Sequence, residues 1–348
     1  MNENTDPFDH NDLYSEAISL VRERSDLTME CMRQLVCGMM NGRLDEQQSA
    51  ELLSRLHHKG ESVDELVGAA TAMREFMTPI RSSRVGAIDT CGTGGGGTNT
   101  FNISTAVALV CAGAGVPVAK HGNKRSTSKS GSSDVLQELG VNINASVEVV
   151  EKCLDELGLC FCFAPLFHPS VKRVMAVRRS LPHPTIFNLL GPLCNPASTP
   201  FQLLGVGRGE TQLLIAQALC RLGTQRSKVV HGRDGLGEVT ICESTDVIQI
   251  ENGDLNHETI DATAFGITPA PLKAIQVNSA EESAARIRNV LANHAGPEME
   301  IVVLNAAVAC EVVGRVGSIE EGISVAREVL AKGIANELLQ ALVRLTNE

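Results

Sequence analysis

The sequence predicts an α/β protein: a small N-terminal helical domain ahead of a large domain with a mostly parallel sheet flanked by helices. Three observations carry that reading. Residues 14–77 space their apolar side chains three or four apart and contain no run that alternates like a strand. After Pro79 the pattern changes to short apolar runs separated by helical stretches, as a parallel sheet with crossover helices requires. Residues 169–193 then return to helical spacing and carry Arg178 and Arg179. The expected division is residues 1–79 for the helical domain, with 169–195 packing near it, and residues 80–348 for the large domain.

Taken in order, helices are expected over 15–24, 28–41, 45–58 and 62–76, with Asn41-Gly42 and Gly60 as stop signals. Strands are expected over 85–89, 116–119, 160–164, 201–206, 228–231, 239–242, 247–251 and 300–305. Asn252-Gly253 reads as a hairpin turn within that series. Helices over 105–113, 134–139, 147–157, 211–222, 280–294 and 319–342 fill the gaps. There is no internal repeat and no low-complexity tract.

Composition narrows the function. With 348 residues and 43% hydrophobic content the chain can fill a sizeable core, while a net charge of -11 disfavours nucleic acid or an anionic membrane as its main partner. The eleven cysteines include no CxxC pair and sit mostly in apolar runs, where Cys behaves as a small hydrophobe; a reducing cytoplasm and no zinc are expected. No basic-then-apolar leader opens the chain, and no apolar run approaches the ~20 residues that span a bilayer. Trp is absent and Tyr14 is the only tyrosine, so stacking platforms for single-stranded nucleic acid are scarce.

The densest chemical signal is the run from Asp89 through Thr90, Cys91, Gly92, Thr93, Gly94, Gly95 and Gly96 to Gly97, following an expected strand. Five glycines in six positions suit either a flexible turn or a loop whose N–H groups cradle phosphate oxygens. Gly92, Gly94 and Gly97 match the dinucleotide fingerprint only formally, because the next strand ends in Lys120 where that site needs an acid for the ribose. A P-loop needs Lys after its last glycine, and Thr98 stands there. Next, Asn102, Ser104 and Thr105 open a helix; each alone would serve as a cap, and together behind a glycine loop they mark an anion site at a helix N-terminus. A third segment, 120–134, places Lys120, Lys124, Arg125 and Lys129 among hydroxyls. That pattern suits a solvated face or a phosphate-binding loop at the sheet edge.

Gly92-Thr93-Gly94-Gly95, Phe101-Asn102-Ile103-Ser104-Thr105, Lys120-His121-Gly122-Asn123 and Ser130-Gly131-Ser132-Ser133-Asp134 resemble, in order, the signature blocks of the anthranilate phosphoribosyltransferase family. His168-Pro169, Val177-Arg178-Arg179, the block from Ile186 to Pro196, Asp234-Gly235-Leu236-Gly237-Glu238 and Leu304-Asn305-Ala306-Ala307 continue the resemblance over nearly the whole chain. It implies a nucleoside-phosphorylase-like fold with the site in a cleft between domains, a homodimer through the helical domain, and transfer of phosphoribose to anthranilate in tryptophan biosynthesis. The resemblance assigns phosphoribosyl diphosphate to Gly92, Thr93, Gly94, Gly95, Gly96, Thr100, Asn102, Ile103, Ser104, Thr105, Lys120, Lys124, Ser128 and Ser132. It assigns anthranilate to Gly92, His121, Asn123 and Arg178, and magnesium to Ser104 and Glu238. No obligatory base is identified. Gly96 and Gly237 stand where the family usually has Asp, so two carboxylates near the diphosphate are lost and with them support for a second magnesium. A pyrimidine nucleoside phosphorylase, and a weak paralog that binds nucleic acid or another phosphorylated ligand, are the rival readings.

Overall fold

A computed structural model describes residues 10–124 and 131–348. The chain divides into two units, one comprising residues up to Thr78 with His168–Cys194, the other Pro79–Phe167 with Asn195–Glu348.

The first unit opens with four helices, α1 (His10–Arg22), α2 (Met29–Asn41), α3 (Glu46–Lys59) and α4 (Val63–Glu75). Their starts are set by side-chain caps: Thr28 accepts from the N–H of Cys31, while Asp45 with Gln48 and Ser62 with Glu65 form capping boxes. Glu65 is fully buried and also accepts from the N–H of Leu27 at 2.9 Å and from Lys59 Nζ at 3.0 Å, so its charge is paired.

The second unit begins with β1 (Ile88–Gly92), α5 (Ile103–Gly113), β2 (Val118–Gly122), α6 (Ser132–Glu138), α7 (Val147–Leu157), β3 (Leu159–Phe163) and α8 (Ala164–Phe167). The chain then returns to the first unit for α9 (Val171–Ser180) and α10 (Phe187–Leu190). The second unit resumes with β4 (Phe201–Gly205), α11 (Gln212–Arg221), β5 (Arg226–Gly232), β6 (Thr245–Glu251), β7 (Asp254–Ile260), α12 (Ala280–Leu291), α13 (Pro297–Val313), α14 (Ile319–Ala331) and α15 (Ile334–Thr346). Its sheet runs β3-β2-β1-β4-β5-β6-β7, parallel from β3 to β5 and antiparallel from β5 to β7. The α/β class and the mostly parallel sheet are as the sequence predicts.

Strand order reverses direction at β1, with β2 on one side and β4 on the other, so the crevice at the carboxyl ends of these strands is the topological switch point where such sheets bind ligands. β1, β2, β4 and β5 each end in glycine there. With no Cβ in the way, loops leaving neighbouring strands approach one another closely.

Three expectations are corrected, and one is extended. Residues 300–305 lie in α13, not in a strand; α13 is buried nearly all round, and a continuous apolar run reads the same in a buried helix as in a buried strand. Residues 239–242 form no strand, because their backbone bonds to side chains rather than to a ladder. The hairpin at Asn252-Gly253 is present, but the sequence does not signal its second strand, β7, whose exposed, polar residues lack alternation. The helix expected over 319–342 is two, broken at Lys332-Gly333, where Gly333 has φ 72°.

Candidate active site

β1 delivers the glycine run to the switch point. Gly94, Gly95 and Gly97 have φ of 67°, 82° and 68°, backbone that side chains with a Cβ rarely adopt, and among the described residues none of the N–H groups of 94–98 donates to a backbone carbonyl. These donors remain for a ligand, as in a phosphate-binding nest. The loop is pinned at both ends, by Thr93 N–H to Gly205 O at 2.9 Å and by Phe101 N–H to Ile275 O at 3.0 Å.

The loop feeds α5. Asn102 caps it, its Oδ1 accepting from the N–H of Thr105 at 3.2 Å and from the Thr105 hydroxyl. Thr105 is buried and spends its hydroxyl on this cap, and the Ile103 side chain is buried as well, so both meet a ligand only through the helix terminus they build. Ser104 is half-buried and presents its hydroxyl to Lys120.

Lys120, on β2, is 3% exposed, and its Nζ donates to Thr90 O at 2.5 Å and Ser104 Oγ at 2.9 Å. Burial pulls its pKa below the usual lysine value, opposed by the nearby Asp89, Cys91 and Glu238. Asp89, at the second position of β1, is fully buried. Its Oδ1 accepts from the N–H of His121 at 3.2 Å and its Oδ2 from Asn195 Nδ2 at 2.7 Å. Desolvation raises its pKa to about 6 although Lys120, Asn195 and His121 all pull it down. Glu238 retains some exposed surface, yet protein surrounds its carboxyl closely enough that desolvation raises its pKa to about 8 against the pull of Lys120. One ammonium thus stands near the Ser104 hydroxyl and the Glu238 carboxyl.

These two oxygens are hard donors of the kind magnesium takes, and Mg²⁺ sites commonly combine one or two protein oxygens with substrate phosphates and water. No cluster of three His, Cys, Asp or Glu side chains able to hold a metal occurs among the described residues. The donor set therefore fits a magnesium ion that shares its shell with a diphosphate.

The segment bearing Glu238 is locked to the glycine loop through bare backbone. A Cβ on Gly205 would overlap the carbonyl oxygen of Gly237, and one on Gly96 would lie 2.9 Å from Gly235 O and 3.1 Å from Gly207 Cα. The position lacking the usual Asp at 96 is therefore packed against backbone on two sides, whereas a Cβ on Gly237 would meet its nearest atoms at 3.3 Å. Gly205→Ala should lower unfolding free energy by about 1–3 kcal/mol, as overpacking does, read from denaturant midpoints. An unchanged midpoint would show that the loops are not interlocked.

Among the other expected site residues, Ser132 packs against Gly122 at the end of β2, His121 is buried, Thr100 pairs with Gln276 in an isolated bridge, and Asn123 and Lys124 are exposed. Ser128 lies outside the described residues. Arg178 belongs to the first unit, on α9. It is half-buried, 5.5 Å from the Phe187 ring centroid, with NH1 3.5 Å from Met175 Sδ; burial lowers its pKa, and no carboxylate among the described residues pairs with it. Sequence reasoning assigns no role to Asp89 and Asn195. Both fall in the motifs quoted above, but nothing local shows that Asn195 reaches the Asp89 carboxylate.

The chain matches the family model for the helical bundle domain of a glycosyl transferase family over residues 15–77 and the model for its a/b domain over 84–336. An anthranilate phosphoribosyltransferase of Rhodopirellula baltica is 45% identical over 94% of this chain and 96% of its own length. One from Clostridium kluyveri is 42% identical over 96% of this chain and the whole of its own. The crystal structure of the Thermus thermophilus enzyme superposes with a TM-score of 0.90 at 38% identity, covering 95% of this chain and 99% of that one. That of Saccharomyces cerevisiae in complex with PRPP and Mg gives 0.90 at 26% identity over 97% and 99%.

Proposed function

The chain belongs to the anthranilate phosphoribosyltransferase family of glycosyl transferases, and from that premise we propose that it joins the phosphoribosyl group of phosphoribosyl diphosphate to the amine of anthranilate, in tryptophan biosynthesis. The observation that carries the reading is the set of ligand-ready N–H groups in the glycine loop, beside Lys120 and two hard oxygen donors at the switch point.

Cleavage at C1 of the ribose passes through an oxocarbenium-like state while negative charge grows on the departing diphosphate. The loop N–H groups and the α5 terminus are already oriented toward such charge, so they stabilise it without reorganising. Lys120 is fixed by two hydrogen bonds and contributes a desolvated positive charge. Magnesium, when bound through Ser104 and Glu238, would neutralise diphosphate charge as a Lewis acid. Gly237 leaves a second ion without its usual protein carboxylate, so such an ion would depend on diphosphate and water oxygens. Anthranilate is a neutral amine nucleophile, and holding it near C1 supplies acceleration without a strong base.

Arg178 offers an unpaired, partly desolvated guanidinium to the acceptor's carboxylate. Arg178→Ala should raise the anthranilate KM roughly ten- to a hundredfold, equal to one lost charge-assisted contact of ~1.5–3 kcal/mol, with the donor KM nearly unchanged. Equal changes in both constants would remove Arg178 from the acceptor site.

All eleven cysteines are free thiols, which supports a reducing, cytoplasmic setting. A homodimer through the helical domain belongs to the same reading and is tested by light scattering. The decisive assay follows loss of anthranilate fluorescence with purified protein, phosphoribosyl diphosphate and magnesium. Consumption only when both are present is expected; phosphate-dependent cleavage of thymidine or uridine instead would favour the phosphorylase.

A further inference from the structure

Asn305 lies in the middle of α13, a helix whose neighbouring side chains are almost all buried and apolar, and it is itself fully buried. A carboxamide there is unfavourable unless every polar atom is satisfied. It is satisfied by another part of the chain: Oδ1 accepts from the N–H of Val239 at 2.9 Å, and Nδ2 donates to Val239 O at 2.7 Å and to Ile301 O at 2.8 Å. One side chain thus reads both polar groups of a single peptide residue, as a neighbouring strand would, in a segment that has no strand partner.

Val239 follows Glu238 directly. Beyond its close backbone packing on the glycine loop, several of this segment's hydrogen bonds run within it: Asp234 Oδ1 accepts from the N–H of Leu236 at 3.0 Å and Asp234 Oδ2 from the Thr240 hydroxyl at 2.7 Å, while the N–H of Gly232 bonds to Leu236 O at 2.7 Å. α13 also packs along α5, whose first turn carries Ser104. One helix therefore clamps the backbone beside Glu238 and packs against the helix that carries Ser104.

We infer that Asn305 is a positioning residue that fixes the Glu238 carboxylate at its working distance from Ser104 by clamping the Val239 backbone to α13. The inference rests on the assignment of Glu238 as a magnesium ligand. Its test separates the two ideas. Asn305→Leu keeps the branched shape and removes the clamp, Asn305→Ala removes it without any clash, and Val303→Ala trims a fully buried residue of the same helix while leaving the clamp's hydrogen bonds in place.

In metal-free protein, amide hydrogen exchange of a peptide spanning residues 236–242 should quicken at least about tenfold in both Asn305 variants and stay near wild type in Val303→Ala. Titration calorimetry of magnesium in the presence of inorganic diphosphate should show affinity about tenfold weaker in the Asn305 variants. It should be weaker also in Glu238→Gln, with little further loss when the changes are combined. Unchanged exchange and unchanged affinity in the Asn305 variants, with Glu238→Gln still weakened, would overturn the inference alone. Unchanged affinity in Glu238→Gln would overturn the metal assignment, and the exchange result would still report whether Asn305 holds the segment.

Discussion

Lys120→Ala should lower stability through charge alone by about 1–3 kcal/mol between pH 7 and pH 8, the cost, at about 1.4 kcal/mol per pH unit, of protonating a buried carboxyl that has lost its partner. Lys120 is buried beside Asp89, a carboxylate whose pKa burial already raises to about 6 with the ammonium present. Without that ammonium the folded-state pKa of Asp89 must rise further above its ordinary value of 3.8. A carboxylate with a raised folded pKa contributes its stability at low pH, where both states are protonated, and loses it as pH rises through the folded value. The destabilisation should therefore be small near pH 5 and largest at pH 7 to 8. Denaturant titrations at the two pH values test this, and Lys120→Ala combined with Asp89→Asn should recover much of the loss. A pH-independent effect would show that the lysine acts by packing rather than by charge. Donor affinity should fall as well, because Ser104 loses the hydrogen bond that orients its hydroxyl.

Glu238→Ala should reduce kcat/KM by at least about a hundredfold, or roughly 2.7 kcal/mol of transition-state stabilisation, and by most when magnesium is limiting. The carboxyl is desolvated enough that its pKa rises to about 8, with the Lys120 charge opposing the rise. A group in that condition favours a divalent cation strongly, since the cation compensates a charge the protein compensates poorly. Gly237→Asp adds a second carboxylate at a position where the backbone has to yield only a few tenths of an ångström. It should raise activity at limiting magnesium. Initial rates over a magnesium series decide both points: full activity in Glu238→Ala with no response to Gly237→Asp would remove this segment from the metal site.

Much of the site was legible because its chemistry is local. The glycine loop, the hydroxyls opening α5 and the end of β2 are contiguous stretches whose residue types state what they can bind, and the fold assembles them at the switch point between β1, β2 and β4. The helical unit was legible through its three-or-four apolar spacing and its stop signals, Gly42 and Gly60, which end helices within one turn. Burial was less legible: α13 is wrapped on all sides and β7 is an exposed edge, so neither has one wet and one dry face to impose a period on its sequence.

By itself the sequence determined the α/β class, the glycine loop behind its strand and the resemblance that names the reaction, since each depends on residues within a few positions of one another. Only the tertiary structure decided how the site is held. Asp89 meets Asn195 across 106 residues, Asn305 meets Val239 across 66, and Gly205 admits the Gly237 carbonyl from a separate loop. Such contacts leave no periodic trace in the chain, because a hydrogen bond or a missing Cβ is specified by distance in space and not by spacing along the backbone.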